Sequence, residues 1–266
     1  MAQMKRQFRK MHGLGNDFVV FDARDAALEI DEAKARALAD RRTGIGFDQL
    51  IVIEPSEIAD ARMRIWNSDG GEVEACGNAT RCVATLLGGE SRIETKGGMI
   101  AGSATADAAT VDMGAPRFDW DRIPLAYAMD TSSLPVGWDG LEMPFAVNVG
   151  NPHIVFFVDD IDAVPLERLG PEIERDALFP ERINVNVASV VDGAIRLRVW
   201  ERGAGLTRAC GTGACATAVA AISRRLVQSP VDVHLPGGTL TIAWTPGGSI
   251  RMSGPAASVF TGEVEL

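Results

Sequence analysis

The sequence lacks several features that would assign it to a common class of protein. Its apolar runs stay short of the roughly 18 residues of a membrane-spanning helix, and its basic residues do not cluster as phosphate binding requires. The first ten residues are positively charged but lead into polar sequence without an apolar core, so we expect no signal peptide. With a net charge of −10, the composition indicates a cytoplasmic globular protein without a nucleic-acid or membrane partner.

Cysteine is also scarce, with four in 266 residues. In a reducing compartment these are not expected to form a disulfide framework, so each is a candidate for packing, metal binding or catalysis. The spacings are C-x5-C (Cys76, Cys82) and C-x4-C (Cys210, Cys215), not the C-x2-C pairs usual in zinc sites. We therefore expect no bound metal.

The sequence does contain a copy of itself. The segments 63–78 and 197–212 align 134 residues apart, with the matches Arg64/Arg198, Trp66/Trp200, Gly71/Gly205, Ala75/Ala209, Cys76/Cys210 and Gly77/Gly211. At an offset of 135, Gly15-Asn16 matches Gly150-Asn151 and Gln49 matches Asn184. A register held over this length predicts two homologous halves, 1–117 and 118–255, with a C-terminal strand at about 256–266 joining the first half.

Each half combines short β-rich runs with a helix candidate directly after its first cysteine. The second of these helices, 214–222, has no polar face and must be buried on all sides. A further amphipathic helix is predicted for 31–42, on the outside. We predict an α+β fold of two pseudo-symmetric domains, each a β-barrel-like sheet around a central helix, with the active site in the cleft between them.

Cys76 and Cys210 are predicted at helix N-termini, where unpaired N–H groups and the helix dipole bind anions and lower the pKa of a thiol. Cys82 and Cys215 lie about 240° and 140° further round their helices, which indicates packing in the core. The first pair fits stereo-inversion at an α-carbon. One thiolate removes the α-proton, the opposing thiol donates a proton to the other face, and the helix N-termini stabilise the carboxylate. This chemistry requires no cofactor.

Seven segments resemble, in order and over essentially the whole chain, the motifs of diaminopimelate epimerase: HGLGNDFVVFD, GFDQ, NSDG..VEACGN..RC, GNPHIVFFVDD, PERINVNV, WERGAGLTRACGTGACA and GPAASVFTGEV. That family interconverts L,L- and meso-diaminopimelate in lysine and peptidoglycan-precursor biosynthesis. The resemblance implies an isomerase that is independent of pyridoxal phosphate, acts on diaminopimelate and forms a homodimer, with Phe260 where relatives often carry a tyrosine near the dimer contact.

The resemblance also implies roles for individual residues. Cys76 and Cys210 would be the catalytic bases, and His153 and Glu201 would tune the pKa values of the cysteines. The implied substrate-binding residues are Asn16, Gln49, Asn67, Gly77, Asn78, Asn151, Asn184, Glu201, Arg202, Gly211 and Thr212. Arg202 and several of the asparagines would grip the distal end of the substrate.

Three alternatives remain open from the residues themselves. A related two-cysteine racemase or epimerase could act on proline, hydroxyproline or another amino acid, although Glu201 and Arg202 suit a substrate with a second charged group. A non-enzymatic metal or redox module would use the cysteines differently. An isomerase of the phenazine-biosynthesis type shares such a fold but lacks the paired cysteines.

Overall fold

The structure is a computed structural model that describes residues 5–74, 76–105 and 108–266. Ala75, one of the residues matched in the repeat, lies outside these ranges. The chain divides into two compact units: unit 1 runs to Val111 and includes Gly254–Leu266, and unit 2 is Asp112–Ser253. The sequence-based prediction ended the first half at Arg117, six residues after Val111. The boundary of the units is defined by contacts, which the sequence alone does not give.

Unit 1 is a sheet with two helices. Its strands are β1 (Lys5–Gly13), β2 (Asn16–Asp22), β3 (Gln49–Glu54), β4 (Ala61–Asn67), β5 (Glu72–Val73), β6 (Gly89–Thr95), β7 (Gly98–Ala104), β8 (Ala109–Asp112) and β19 (Ala257–Glu265). Its helices are α1 (Glu32–Ala39) and α2 (Gly77–Leu87). The C-terminal strand β19 pairs antiparallel with β1, as a strand of this unit's sheet.

Unit 2 has the same plan with two additional strands, which form a small hairpin. Its strands are β9 (Gly137–Trp138), β10 (Leu141–Glu142), β11 (Phe145–Asn148), β12 (Pro152–Phe157), β13 (Asn184–Val191), β14 (Ala194–Glu201), β15 (Gly205–Thr207), β16 (Val231–Leu235), β17 (Gly238–Ala243) and β18 (Arg251–Gly254). Its helices are α3 (Leu166–Glu174) and α4 (Gly211–Ser223). The small hairpin β9–β10 forms a separate sheet.

The strand pairing repeats between the units. In unit 1, β2 pairs parallel with β3, β3 antiparallel with β4, and β4 parallel with β6. In unit 2, β12, β13, β14 and β16 take the same three pairings in the same order. Even the register is kept, because Phe18 lies opposite Gln49 while His153 lies opposite Asn184. The duplicated sequence therefore folds twice into one topology, and the two-domain α+β prediction is confirmed.

The helix that follows each cysteine is the one that the sheet encloses. Every residue of α4 from Gly211 to Ala221 is buried except Thr212, which is half-buried. This helix contacts six strands of unit 2, while α2 contacts β1, β6 and β7 of unit 1. A helix of Gly, Ala, Cys, Val and Thr has no polar face to offer water, so enclosure is its only stable environment, as predicted.

Two helices differ from the sequence-based expectation. α1 begins where Asp31 caps it but ends at Ala39, because Asp40 leaves helical geometry and accepts hydrogen bonds from the N–H groups of Arg42 and Thr43. α3 was not predicted, since Pro171 interrupts its pattern. In the described ranges, no helix combines the length and apolar character that a membrane crossing needs.

α3 supports the turn between β14 and β15. Glu174, nearly fully buried, accepts hydrogen bonds from the Trp200 indole N–H at 2.8 Å and from the Gly203 N–H at 3.0 Å. Gly170 permits the close approach of Trp200, because a Cβ there would lie 2.4 Å from the indole ring. The turn held in this way carries Arg202.

Candidate functional site

Each unit places a cysteine directly before its enclosed helix. Cys76 is the N-cap residue of α2, with an extended backbone (φ −149°, ψ 116°), and it is half-buried. Gly77 and Asn78 form the first turn that follows. The N–H groups of such a turn lack partners within the helix, so the turn can bind a carboxylate.

Cys210 is the repeat-equivalent N-cap residue of α4, and it is buried. Its Sγ accepts a hydrogen bond from the Gly213 N–H at 3.3 Å and lies 3.5 Å from the Thr212 hydroxyl. The sulfur therefore caps the helix in the way that a serine or aspartate oxygen does at other helices.

Burial has the largest effect on the pKa of Cys210. The pKa of this thiol is raised well above its usual value, first by burial and then by the charge of Glu201. The hydrogen bonds from Gly213 and Thr212 act in the opposite direction but are outweighed. The expectation that the helix N-terminus lowers the pKa of the Cys210 thiol is therefore wrong for this structure, in which burial raises that pKa.

Glu201 lies at the end of β14 and is itself perturbed. Burial raises the pKa of its carboxyl, while hydrogen bonds with Thr207 and Cys210 partly offset that rise. The Thr207 hydroxyl donates to Glu201 Oε1. A half-buried carboxyl beside a buried thiol disfavours the thiolate, which is the kind of coupling expected of a residue that tunes a cysteine pKa.

Four predicted binding residues of unit 1 form two hydrogen-bonded pairs. Asn78 Nδ2 donates to Asn16 Oδ1 at 3.2 Å, and Gln49 Nε2 donates to Asn67 Oδ1 at 2.9 Å. Gln49 Oε1 is buried and has no hydrogen-bond partner among the described residues. A buried acceptor of this kind is available to a ligand that carries an N–H group.

Two charged residues that sequence reasoning missed hold the Asn16–Asn78 pair. Arg81, fully buried in α2, donates from Nη2 to Asn78 Oδ1 at 2.9 Å. Asp48 Oδ2 accepts from Asn16 Nδ2 at 3.0 Å, and Arg41 bonds to the other oxygen of Asp48. Arg81 and Asp48 lie inside the motifs NSDG..VEACGN..RC and GFDQ. An arginine within a helix that is buried is unusual, and this was the signal that could have identified Arg81.

In unit 2, Asn184 joins two segments that carry other predicted residues. Its Nδ2 donates to the Pro152 carbonyl at 2.8 Å, and its Oδ1 accepts from the Arg202 N–H at 2.9 Å. Arg202 is exposed, and its Nη1 donates to the Glu181 carbonyl at 2.9 Å. Asn184 therefore links the start of β12 to the turn between β14 and β15.

His153 is fully buried and bonds to a predicted binding residue. Its Nε2 lies 2.8 Å from Asn151 Oδ1, and its Nδ1 lies 3.1 Å from Asn186 Nδ2. Burial, with a smaller contribution from the positive charge of Arg202, lowers the pKa of His153 to about 3 although the hydrogen bond with Asn186 acts in the opposite direction, so the ring is neutral. Sequence reasoning did not single out Asn186.

The remaining two cysteines lie in the core of their units. Cys82 packs in the apolar cluster of unit 1 that contains Phe18, Ile65 and Val83, and burial raises the pKa of its thiol to about 12. Cys215 is fully buried in α4. Within the described ranges, no three His, Cys, Asp or Glu side chains are grouped as metal ligands would be.

The fold is shared with solved structures of low sequence identity. A phenazine biosynthesis protein of the PhzF family from Bacillus anthracis aligns with a TM-score of 0.72 at 17% identity, covering 99% of this chain and 100% of that one. A hydroxyproline epimerase from Agrobacterium vitis aligns with a TM-score of 0.65 at 16% identity, covering 98% and 93%. This chain therefore shares the two-unit α+β fold of these structures.

Sequence comparison shows to which family the chain belongs. The model of the family described as diaminopimelate epimerase matches residues 8–118 and 145–259. A diaminopimelate epimerase of Rhizorhabdus wittichii is 67% identical over 99% of this chain and 97% of its own length, and one of Erythrobacter litoralis is 65% identical over 97% of each. The chain belongs to the diaminopimelate epimerase family.

The buried neutral His153 makes stability depend on pH. The pKa of this residue is about 3 in the folded chain, against 6.5 for an ordinary histidine. The unfolded chain therefore binds a proton that the folded chain does not, and the free energy of unfolding falls as the pH drops from 6.5 towards 3. The contribution of this group is at most about 1.4 kcal/mol per pH unit, and it is fully retained above pH 6.5.

We expect the substitution His153→Gln, which removes the titrating group, to flatten this dependence. Urea denaturation between pH 7.5 and 4 measures it, with exposed His234→Gln as the matched control that keeps the wild-type profile. An unchanged slope in His153→Gln would show that other groups dominate.

Proposed function

We propose that the protein converts L,L-diaminopimelate to meso-diaminopimelate, in lysine and peptidoglycan-precursor biosynthesis. The observation that carries the proposal is that Cys76 and Cys210 are N-cap residues of repeat-equivalent helices, in a chain that belongs to the diaminopimelate epimerase family. The two compact units would be its N-terminal and C-terminal epimerase halves.

The chemistry requires one sulfur on each face of the α-carbon. We assign the role of proton donor to Cys210, because burial and the charge of Glu201 raise the pKa of its thiol. Cys76 is then the base that removes the α-proton in this direction, and the roles exchange in the reverse reaction. Proton removal and delivery from opposite faces invert the centre without any covalent intermediate.

The carboxylate at the reacting centre is held by the first turns of α2 and α4. Gly77, Asn78, Gly211 and Thr212 offer backbone N–H groups there. As the α-proton leaves, negative charge develops on this carboxylate, and donors aimed at it lower the barrier. Such donors replace the electron sink that pyridoxal phosphate supplies in other racemases.

The distal end of diaminopimelate carries its own ammonium and carboxylate groups. Arg202 and the amides of Asn67, Asn151 and Asn184 are the groups that we assign to it. The Arg202 guanidinium can form a bidentate contact with a carboxylate, and the neutral amides can orient a zwitterion without adding charge. Gln49, beside Asn67, adds a buried acceptor.

The assembly and location follow the family resemblance. We propose a cytoplasmic homodimer that binds neither nucleic acid nor membrane. Val259 and Phe260, exposed on β19, offer an apolar surface for self-association, and the net charge of −10 supports the absence of a nucleic-acid partner.

Replacing either base should abolish epimerisation. Cys76→Ser and Cys210→Ser each leave a hydroxyl that is too weakly acidic to serve as the base. Each single variant can still eliminate HX from a halogenated analogue, because that reaction needs one base only. The measurement is deuterium uptake from solvent into L,L-diaminopimelate. Cys82→Ala and Cys215→Ala, on the same helices, are the matched controls and should remain active; near-wild-type epimerisation in either serine variant would eliminate the two-base mechanism.

The distal contact can be tested through Arg202→Lys. The variant keeps the charge but not the planar fork, and losing a charge-assisted hydrogen bond costs about 1.5–3 kcal/mol, or roughly ten- to a hundred-fold in kcat/KM for diaminopimelate. Lysine, which lacks the distal carboxylate, should be a very poor substrate and lose little more in the variant. Equal losses on both substrates would mean that Arg202 acts only through its contact with Glu181, as a support of the loop.

Activity should need neither metal nor pyridoxal phosphate. A Schiff base requires a lysine, and the chain has four: Lys5, Lys10, Lys34 and Lys96. Lys10, the buried one, is paired with Asp17 and the Gly46 carbonyl. We expect full activity after dialysis against a chelator and no aldimine absorbance in the purified protein; activity restored only by added metal would contradict this.

A further inference from the structure

Asn186, on β13, is a fully buried amide beside the proposed site. Its Nδ2 lies 2.9 Å from the Ile154 carbonyl, 3.1 Å from His153 Nδ1 and 3.5 Å from the Asn184 carbonyl. Its Oδ1 is buried without a hydrogen-bond partner among the described residues and faces Gly213, where a Cβ would lie only 2.7 Å away. The Asn186 side chain therefore packs closely against the start of α4.

These contacts determine every proton along a chain of three side chains. A backbone carbonyl only accepts hydrogen bonds, so the Asn186 atom that faces Ile154 is the amide nitrogen. Of the two other acceptors, His153 Nδ1 at 3.1 Å is closer than the Asn184 carbonyl at 3.5 Å, so the second hydrogen is donated to Nδ1. In a neutral imidazole the proton then lies on Nε2, and this N–H donates to Asn151 Oδ1 at 2.8 Å. The Asn151 NH2 group is thereby turned away from the histidine, with its hydrogens available.

The duplication shows that the fold does not need this polar pair. At the repeat offset of 135, His153 corresponds to Phe18 and Asn186 to Ile51, and both unit 1 residues are fully buried. Unit 1 builds the same strand pair with two apolar side chains. It orients Asn16, the counterpart of Asn151, through Asn78 instead. Polar residues at both positions of unit 2 therefore indicate a role beyond packing.

We propose that Asn186 is a positioning residue that holds His153 in its Nε2–H tautomer and so presents the Asn151 amide hydrogens to a carboxylate of the substrate. The inference rests on the proposed function for the identity of the substrate, but the tautomer does not depend on it. Low basicity of His153 supports the arrangement, because a ring that stays neutral keeps a single hydrogen-bond direction.

The tautomer can be read directly by ¹⁵N NMR of histidine-labelled protein, since protonated and unprotonated ring nitrogens resonate far apart. The chain has three histidines, and the His153 signals are those missing from the double variant His153→Phe, Asn186→Val. We expect a single Nε2–H form in the wild type and loss of that preference in Asn186→Val. An Nδ1–H ring in the wild type, or an unchanged Nε2–H ring in Asn186→Val, would overturn the proposal.

Kinetics of the double variant separate positioning from packing. It places Phe and Val where unit 1 has Phe18 and Ile51, an apolar pair in both units, so it should unfold at or above the wild-type temperature. Its KM for diaminopimelate should nevertheless rise about ten- to a hundred-fold, with kcat within about threefold, because the Asn151 amide is no longer oriented. A wild-type KM in the double variant would reduce His153 and Asn186 to core residues. Ile51→Val, at the repeat-equivalent position, controls for altered core volume and should leave KM unchanged.

The assignment of the substrate and the tautomer of His153 can be contradicted independently. If the wild type does not turn over diaminopimelate, the proposed function is wrong, while the NMR experiment still decides whether Asn186 sets the tautomer of His153.

Discussion

The structure of each unit depends on enclosing a helix that has no polar face. Because α4 must be shielded on all sides, the strands of unit 2 curl around it, and its N-terminal turn is the place where its backbone N–H groups remain available. Cys210 occupies that turn as the N-cap residue. A sulfur at the end of an enclosed helix is held by the fold itself, and the proposed acid–base chemistry uses this placement.

Burial disfavours a thiolate, and this effect raises the pKa of Cys210. A charged sulfur is stabilised by the Gly213 N–H and the Thr212 hydroxyl, yet burial and Glu201 together raise the pKa of the thiol. Cys76 is only half-buried in the corresponding turn. Two repeat-equivalent cysteines therefore differ in environment.

The duplication explains how the difference arose within one topology. Strand order, register and the helix after the cysteine are kept in both units, whereas the side chains around them have diverged. Arg81 and Asp48 hold the Asn16–Asn78 pair of unit 1, while His153 and Asn186 hold Asn151 in unit 2. Asn67 of unit 1 matches Glu201 of unit 2 at the end of equivalent strands, so a neutral amide in one unit corresponds to a carboxyl in the other.

The duplication, the two cysteine turns, the enclosed helix and the family could all be predicted from the sequence, because each corresponds to a local pattern or to a repeat at constant offset. It did not predict α3, whose pattern Pro171 interrupts, nor the end of α1. The burial of Cys210 and the hydrogen-bond partners of His153, Arg81 and Asn186 became known only from the tertiary structure. Protonation and amide orientation depend on burial and on atoms that are far away in the chain, and periodicity or spacing carries no information about either.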